Sequence, residues 1–159
     1  WAGLSANIAL SLALSALIQR LVEQGPAPLW PVILAALAAL AIGALITNVA
    51  LKNIIARIRP YEVVEGLKLL IEPQSDFSFP SGHTCASIGA ALAMYPFLER
   101  KWGIPLVILA VLISLSRLYV GVHYPTDVLG GAVVGAFAAW GAVRVVKHGL
   151  VRKAKKAEK

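Results

Sequence analysis

The feature that most constrains this chain is the length of its uncharged stretches. Trp1 to Gln19, Gln24 to Leu51 and Phe77 to Leu98 contain no Asp, Glu, Lys or Arg, and each supplies the roughly 20 apolar residues that a helix needs to cross a bilayer. Trp102 to Ser116 and Val128 to Val143 are shorter; they reach spanning length when Arg117, Asp127 and Arg144 sit at the membrane boundary. In hydrocarbon the backbone must satisfy its own hydrogen bonds, which a helix does. The pattern therefore predicts an all-α, polytopic transmembrane helix bundle with five crossings. A composition of 58% hydrophobic and 14% charged residues is far from the roughly 45–50% and 25% of soluble domains, and excludes a soluble monomer and a disordered chain. Cys85 is the single cysteine, so no intrachain disulfide forms and packing must supply the stability.

The first run follows neither a Met nor a basic leading region, so it reads as a membrane helix and not as a signal peptide, with further residues expected upstream. Connections are short except for Tyr61 to Phe79, which opens at the Pro60 break. Within it Val63, Val64, Leu67, Leu70 and Ile71 recur at helical spacing, while Glu65, Lys68 and Glu72 take another face. That spacing predicts a short amphipathic helix on the membrane surface; a solvated loop with incidental leucines is the competing reading.

Charge sets the orientation. With Trp1 on side one, ten of the fifteen basic residues fall on side two, namely Arg20, Arg100, Lys101, Arg144, Lys147, Arg152, Lys153, Lys155, Lys156 and Lys159. Lys52, Arg57, Arg59, Lys68 and Arg117 remain on side one. The positive-inside bias makes side two cytoplasmic, and Trp30, Trp102 and Trp140 fall near its boundary, as interfacial aromatics do. The expected organisation is a transmembrane domain over residues 1–146 and a basic cytoplasmic tail over 147–159. Five basic residues among the last nine form a tail suited to anionic lipid head groups, so membrane lipids and not nucleic acid are the expected partners.

Every unusual polar residue near a helix end falls on side one, in three segments. The first is KNIIARIRP, Lys52 to Pro60. Lys52 and Arg59 are seven apart and share a helical face two turns apart, so two long cations can converge on one anion while Arg57 points elsewhere. Basic residues at a helix end also snorkel. The second is PSGH, Pro80 to His83. Ser81 can cap the helix that comes after it, and the amides of Ser81, Gly82 and His83 at the positive end of its dipole suit a phosphoryl group, although Ser-Gly is also a common turn. The third is SRLYVGVHYPTD, Ser116 to Asp127. Arg117 offers a planar fork for phosphate oxygens, and Asp127, four residues past His123 in the first turn of a helix opened by Pro125, can reach back to the imidazole. An isolated histidine there would more often be structural.

Taken jointly, the segments resemble the type 2 phosphatidic acid phosphatase superfamily, which includes bacterial lipid phosphatases and vanadium haloperoxidases. Lys52, Arg59 and Pro60 fit its first motif; Pro80, Ser81, Gly82 and His83 fit its second; Ser116, Arg117, His123 and Asp127 fit its third, so all eleven positions match in order. Membrane members usually have six helices, which places a sixth upstream of Trp1. The resemblance implies a hydrolase in which His123 attacks phosphorus, Asp127 orients it and His83 protonates the leaving oxygen, while Lys52, Arg59, Arg117 and the amides of Ser81 and Gly82 hold the phosphate. The residues themselves point to no metal or other cofactor, since three cations and a helix N-terminus can meet the charge, Asp127 is committed to His123, and Glu62, Glu65 and Glu72 lie on the loop. The expected substrate is a lipid phosphate met at the extracytoplasmic face of a bacterial cytoplasmic membrane. Undecaprenyl diphosphate is the first choice, with phosphatidylglycerophosphate and phosphatidic acid as alternatives. A non-catalytic anion-binding membrane protein is the reading of another class; it does not require both His83 and His123 with Asp127 at this spacing. A haloperoxidase is disfavoured by so apolar a chain. Elsewhere, His148 reads as solvated, Cys85 as packed, and Gly131 with Gly135 as a small-residue pair that lets another helix approach closely.

Overall fold

The computed structural model describes residues 29–157 other than 68, with side chains as far as 152. All three polar segments belong to one compact unit, which begins at Val32. Helix α1 spans Trp30–Ala44 and runs on through a π-helical stretch, Leu45–Leu51, into the single turn α2, Lys52–Ile55. Ala56 then takes a left-handed conformation, φ 46°, and ends the helix. A one-turn helix α3 covers Pro60–Val63, α4 covers Gly82–Met94, α5 Arg100–Tyr119 and α6 Pro125–Ala157. Both α3 and α6 begin on proline, whose missing amide is harmless and whose fixed φ suits a first helical position. No strand occurs among the described residues.

Three stretches are long and apolar enough to cross a membrane: Trp30–Val63, Arg100–Tyr119 and Pro125–Arg152. They correspond to the second, fourth and fifth expected crossings. The expected crossing from Phe77 to Leu98 is built differently. Its helix starts only at Gly82, ends in a 3₁₀ turn at Tyr95–Phe97 that contains Pro96, and at about 1.5 Å per residue its thirteen residues fall short of a hydrocarbon core of about 30 Å. The described residues thus hold three long spans and one shorter helix, and the first expected crossing, Trp1 to Gln19, lies outside them. The tail from Lys147 continues α6 as helix to Ala157.

The amphipathic helix expected across Val63 to Ile71 is not formed. Helix α3 stops at Val63, Val64 is extended, and Gly66 has a φ of 79°, which a right-handed helix excludes. Tyr61 pins the loop instead, its hydroxyl donating to the Gln74 carbonyl at 3.0 Å and accepting from the Gln74 amide at 3.1 Å.

The short helix α4 is the centre of the packing, lying along α6 and against α5. The core is made of small residues: Ala35 and Ala39 on α1, Ala93 on α4, and Ala139, Ala142 and Val146 on α6. Small side chains let helix backbones approach where apolar burial gives no advantage over lipid. Gly131 and Gly135 do so as expected. A Cβ on Gly131 would stand 2.5 Å from the Ser81 carbonyl oxygen, and one on Gly135 2.6 Å from that of Cys85. Gly131→Ala should therefore destabilise the fold by about 1–3 kcal/mol, an ordinary cost of overpacking. Gly149→Ala, with nothing within 4 Å of its new methyl group, should be neutral or slightly stabilising. Thermal unfolding in detergent compares the two; equal midpoints would contradict this packing. Cys85 is buried and His148 exposed, as expected.

Candidate active site

Three parts of the chain meet at one cavity of about 420 Å³, whose walls include Lys52, Arg59, Asp76, Gly82, His83, Arg117 and His123. Lys52 reaches it from α2 and Arg59 from beyond the Ala56 break, so the two converge although no continuous helix joins them. Both side chains are buried, and both bind the carboxylate of Asp76: Lys52 Nζ donates to Oδ2 and Arg59 Nη2 to Oδ1. Arg59 Nε also donates to the Asp76 carbonyl at 2.8 Å, and Nη1 to that of Val122 at 2.9 Å. Burial opposes ionisation of Asp76, but hydrogen bonds and charge from Lys52 and Arg59 outweigh it and hold the carboxyl below its usual range. A carboxylate thus sits on the two cations that the spacing assigns to an anion.

At the head of α4, Ser81 is the N-cap; its Oγ accepts from the Thr84 amide at 3.4 Å. The expected role of its own amide is not realised. The Ser81 amide donates to the Asp127 carbonyl at 2.9 Å, so it is already engaged, and Ser81 is absent from the cavity wall. The amides of Gly82 and His83 remain at the helix start. Arg117, near the end of α5, lines the cavity with its guanidinium 3.1–3.2 Å from Ser116 Oγ.

His123 lies in the turn between α5 and α6, with Nδ1 3.5 Å from Asp127 Oδ2. That nitrogen is buried and lacks a hydrogen-bond partner among the described residues. Burial first, and then the charge of Arg59, push the His123 pKa down to about 4 against the pull of Asp127, so the ring is neutral near pH 7. Asp127 is completely buried. Its Oδ1 accepts from Arg57 Nη1 at 2.8 Å, and its Oδ2 accepts from Ser78 Oγ and from the Tyr124 amide at 2.8 Å.

All eight expected site residues lie in or directly behind this cavity. Asp76, Ser78 and Arg57 join them without having been singled out by sequence reasoning, which turns Arg57 away from Lys52 and Arg59. It does point away, toward Asp127. Among the described residues no three His, Cys, Asp or Glu side chains gather as a metal site would require.

Residues 30–149 match the PAP2 superfamily. The chain is 36% identical over 103 residues to an undecaprenyl-diphosphatase of Sulfolobus acidocaldarius, covering 64% of this chain and 50% of that protein. It is 43% identical over 93 residues to the undecaprenyl-diphosphatase BcrC of Bacillus subtilis, covering 58% and 47%. The chain thus spans about half the length of the curated relatives it matches. Among solved structures, Aquifex aeolicus LpxE superposes with a TM-score of 0.69 at 25% identity, over 84% of this chain and 77% of that one.

Proposed function

The chain belongs to the PAP2 superfamily, and from that premise we propose that it is a membrane lipid phosphatase that releases the terminal phosphate of undecaprenyl diphosphate through a phosphohistidine. The observation that carries this reading is the single cavity walled by Lys52, Arg59, Arg117, His83 and His123 together. The relatives from Sulfolobus acidocaldarius and Bacillus subtilis are undecaprenyl-diphosphatases, which supports the choice of lipid. Phosphoryl transfer asks for charge neutralisation and in-line positioning. Lys52, Arg59, Arg117 and the amides of Gly82 and His83 supply the first, once the phosphate displaces Asp76 from its two cations.

In the first step the lone pair of His123 Nε2 attacks phosphorus and the bond to the lipid-side oxygen breaks, that oxygen taking a proton from His83. Asp127 faces Nδ1, so it fixes the tautomer and offsets positive charge as the N–P bond forms. In the second step water attacks phosphorus and gives its proton to His83, the N–P bond breaks, and phosphate departs. Neutral His123 is ready for attack at pH 7, and protonation should silence it only toward pH 4.

His83 as acid makes a graded prediction. Replacing it with Ala should slow alcohol release from an alkyl phosphomonoester by about 10²–10⁴-fold. The burst of phenolate from an aryl phosphate should suffer far less, because that oxygen leaves without a proton. Equal losses would remove His83 from this role. The function itself is tested by phosphate release in detergent and EDTA from undecaprenyl diphosphate, phosphatidylglycerophosphate and phosphatidic acid. A clear preference for the diphosphate supports the reading, and preference for either glycerolipid replaces its substrate.

We place the cavity on the extracytoplasmic side, from the ten-to-five division of basic residues. Single cysteines at Gln74 and at position 157 in a Cys85→Ala background test this with a membrane-impermeant thiol reagent on intact cells. Labelling at 74 alone is expected, and labelling at 157 alone would invert the topology.

A further inference from the structure

One cation beside the cavity has no part in the chemistry of phosphate binding. Lys52 and Arg59 are bound to Asp76, whereas Arg57 does not belong to the cavity wall that holds the histidines. Arg57 instead donates through Nη1 to Asp127 Oδ1 at 2.8 Å and to Thr126 Oγ1 at 2.5 Å. Its guanidinium carbon lies 3.9 Å from the centre of the Tyr124 ring. Its own carbonyl accepts from the Ser78 amide at 2.9 Å, and the Ser78 hydroxyl donates to Asp127 Oδ2. Asp127 is 0% exposed while the Arg57 side chain is 35% exposed. A wholly buried carboxylate needs a counter-charge, and Arg57 is the cation that meets it among the described residues. The backbone is shaped for this: Ala56, at φ 46°, takes a left-handed conformation that a non-glycine residue disfavours, and it lies directly before Arg57.

We propose that Arg57 is a positioning residue, which fixes and neutralises the Asp127 carboxylate so that Asp127 holds His123 in its attacking orientation. The inference rests on the phosphohistidine reading of the site. Arg57 acts through Asp127 and does not meet the substrate, so its loss should lower kcat and leave KM unchanged. It should also move the acid limb of kcat/KM. The charged and titratable groups around His123 are Asp127 on α6, Arg59 beyond α2, and across the cavity Lys52, Asp76, His83 on α4 and Arg117 on α5. Removing Arg57 leaves all six in place and unbalances only Asp127. Beside an uncompensated carboxylate His123 gains a proton more readily, which carries the limb to higher pH.

The test is the kinetics of the full chain in detergent across pH 4–9, with an aryl phosphate, for wild type, Arg57→Met, Arg57→Lys and His123→Asn. Arg57→Met should lose kcat by up to about 10²-fold, as small misplacements of a reacting group do. Its acid limb should rise by about one pH unit. Arg57→Lys keeps the charge but not the fork, so its limb should stay at the wild-type position while kcat falls by less. Wild-type kcat and limb in a folded Arg57→Met overturn the proposal, as does a loss of kcat with the limb unmoved, which would mark Arg57 as a structural tie alone. If Arg57→Met fails to fold, Arg57→Lys decides, and a wild-type kcat or a risen limb there overturns it. Activity in His123→Asn would instead defeat the phosphohistidine reading, whatever Arg57 does.

Discussion

His123→Asn should reduce phosphate release by about 10⁴-fold or more, because removing a nucleophile abolishes the covalent route and leaves only what charge and positioning supply. The protein should remain folded. Asp127 keeps its bonds to Arg57, Ser78 and the Tyr124 amide whatever stands at position 123, so the smaller amide leaves the buried carboxylate paired. The pair of measurements is phosphate release from a lipid phosphate and the thermal midpoint in the same detergent. Activity within tenfold of wild type, at an unchanged midpoint, would show that another group attacks phosphorus.

Asp127→Asn is the second large effect, expected to cost about 10³–10⁴-fold in kcat, the order found when an orienting carboxylate becomes an amide. The hydrogen bonds give the reason. The carboxylate accepts at both oxygens, from Arg57 on one side and from Ser78 and the Tyr124 amide on the other. An asparagine turns one of those acceptors into a donor. With its NH₂ toward Arg57 two donors oppose each other, and with its NH₂ toward Tyr124 the backbone amide loses its acceptor. Either arrangement leaves a buried donor unpaired, at about 1–3 kcal/mol, so the thermal midpoint should fall with activity. An Asp127→Asn protein with full stability and near wild-type kcat would contradict the assigned contacts.

Much of the site behind these expectations is legible in the sequence, and the parts that are not have identifiable reasons. His123 and Asp127 are four apart across a helix start, a local relation that spacing encodes, and the structure brings them to 3.5 Å. Spacing joins Lys52 and Arg59 only if the helix is continuous. They do converge, yet the helix breaks at Ala56, and nothing in the letters KNIIARIRP announces a left-handed alanine. That same break aims Arg57 at Asp127, a partner 70 residues away, which local reasoning has no means to find. A helix start leaves the Ser81 amide unpaired and so open to phosphate; it is paired because α6 packs close enough for the Asp127 carbonyl to reach it. Gly131 is the available signal for that approach. The helix expected from Val63 to Ile71 fails at Gly66, where a positive φ overrides apolar periodicity.

A phosphate carried on His123 can be trapped. Undecaprenyl diphosphate labelled in its terminal phosphate would be mixed with the wild-type protein and with His123→Asn, quenched in alkali within milliseconds to seconds, and digested for mapping. Base-stable label is expected on the peptide that carries His123 in the wild-type protein, and none in His123→Asn. Steady phosphate release by the wild-type protein with no label on that peptide, or label on another residue, would contradict it.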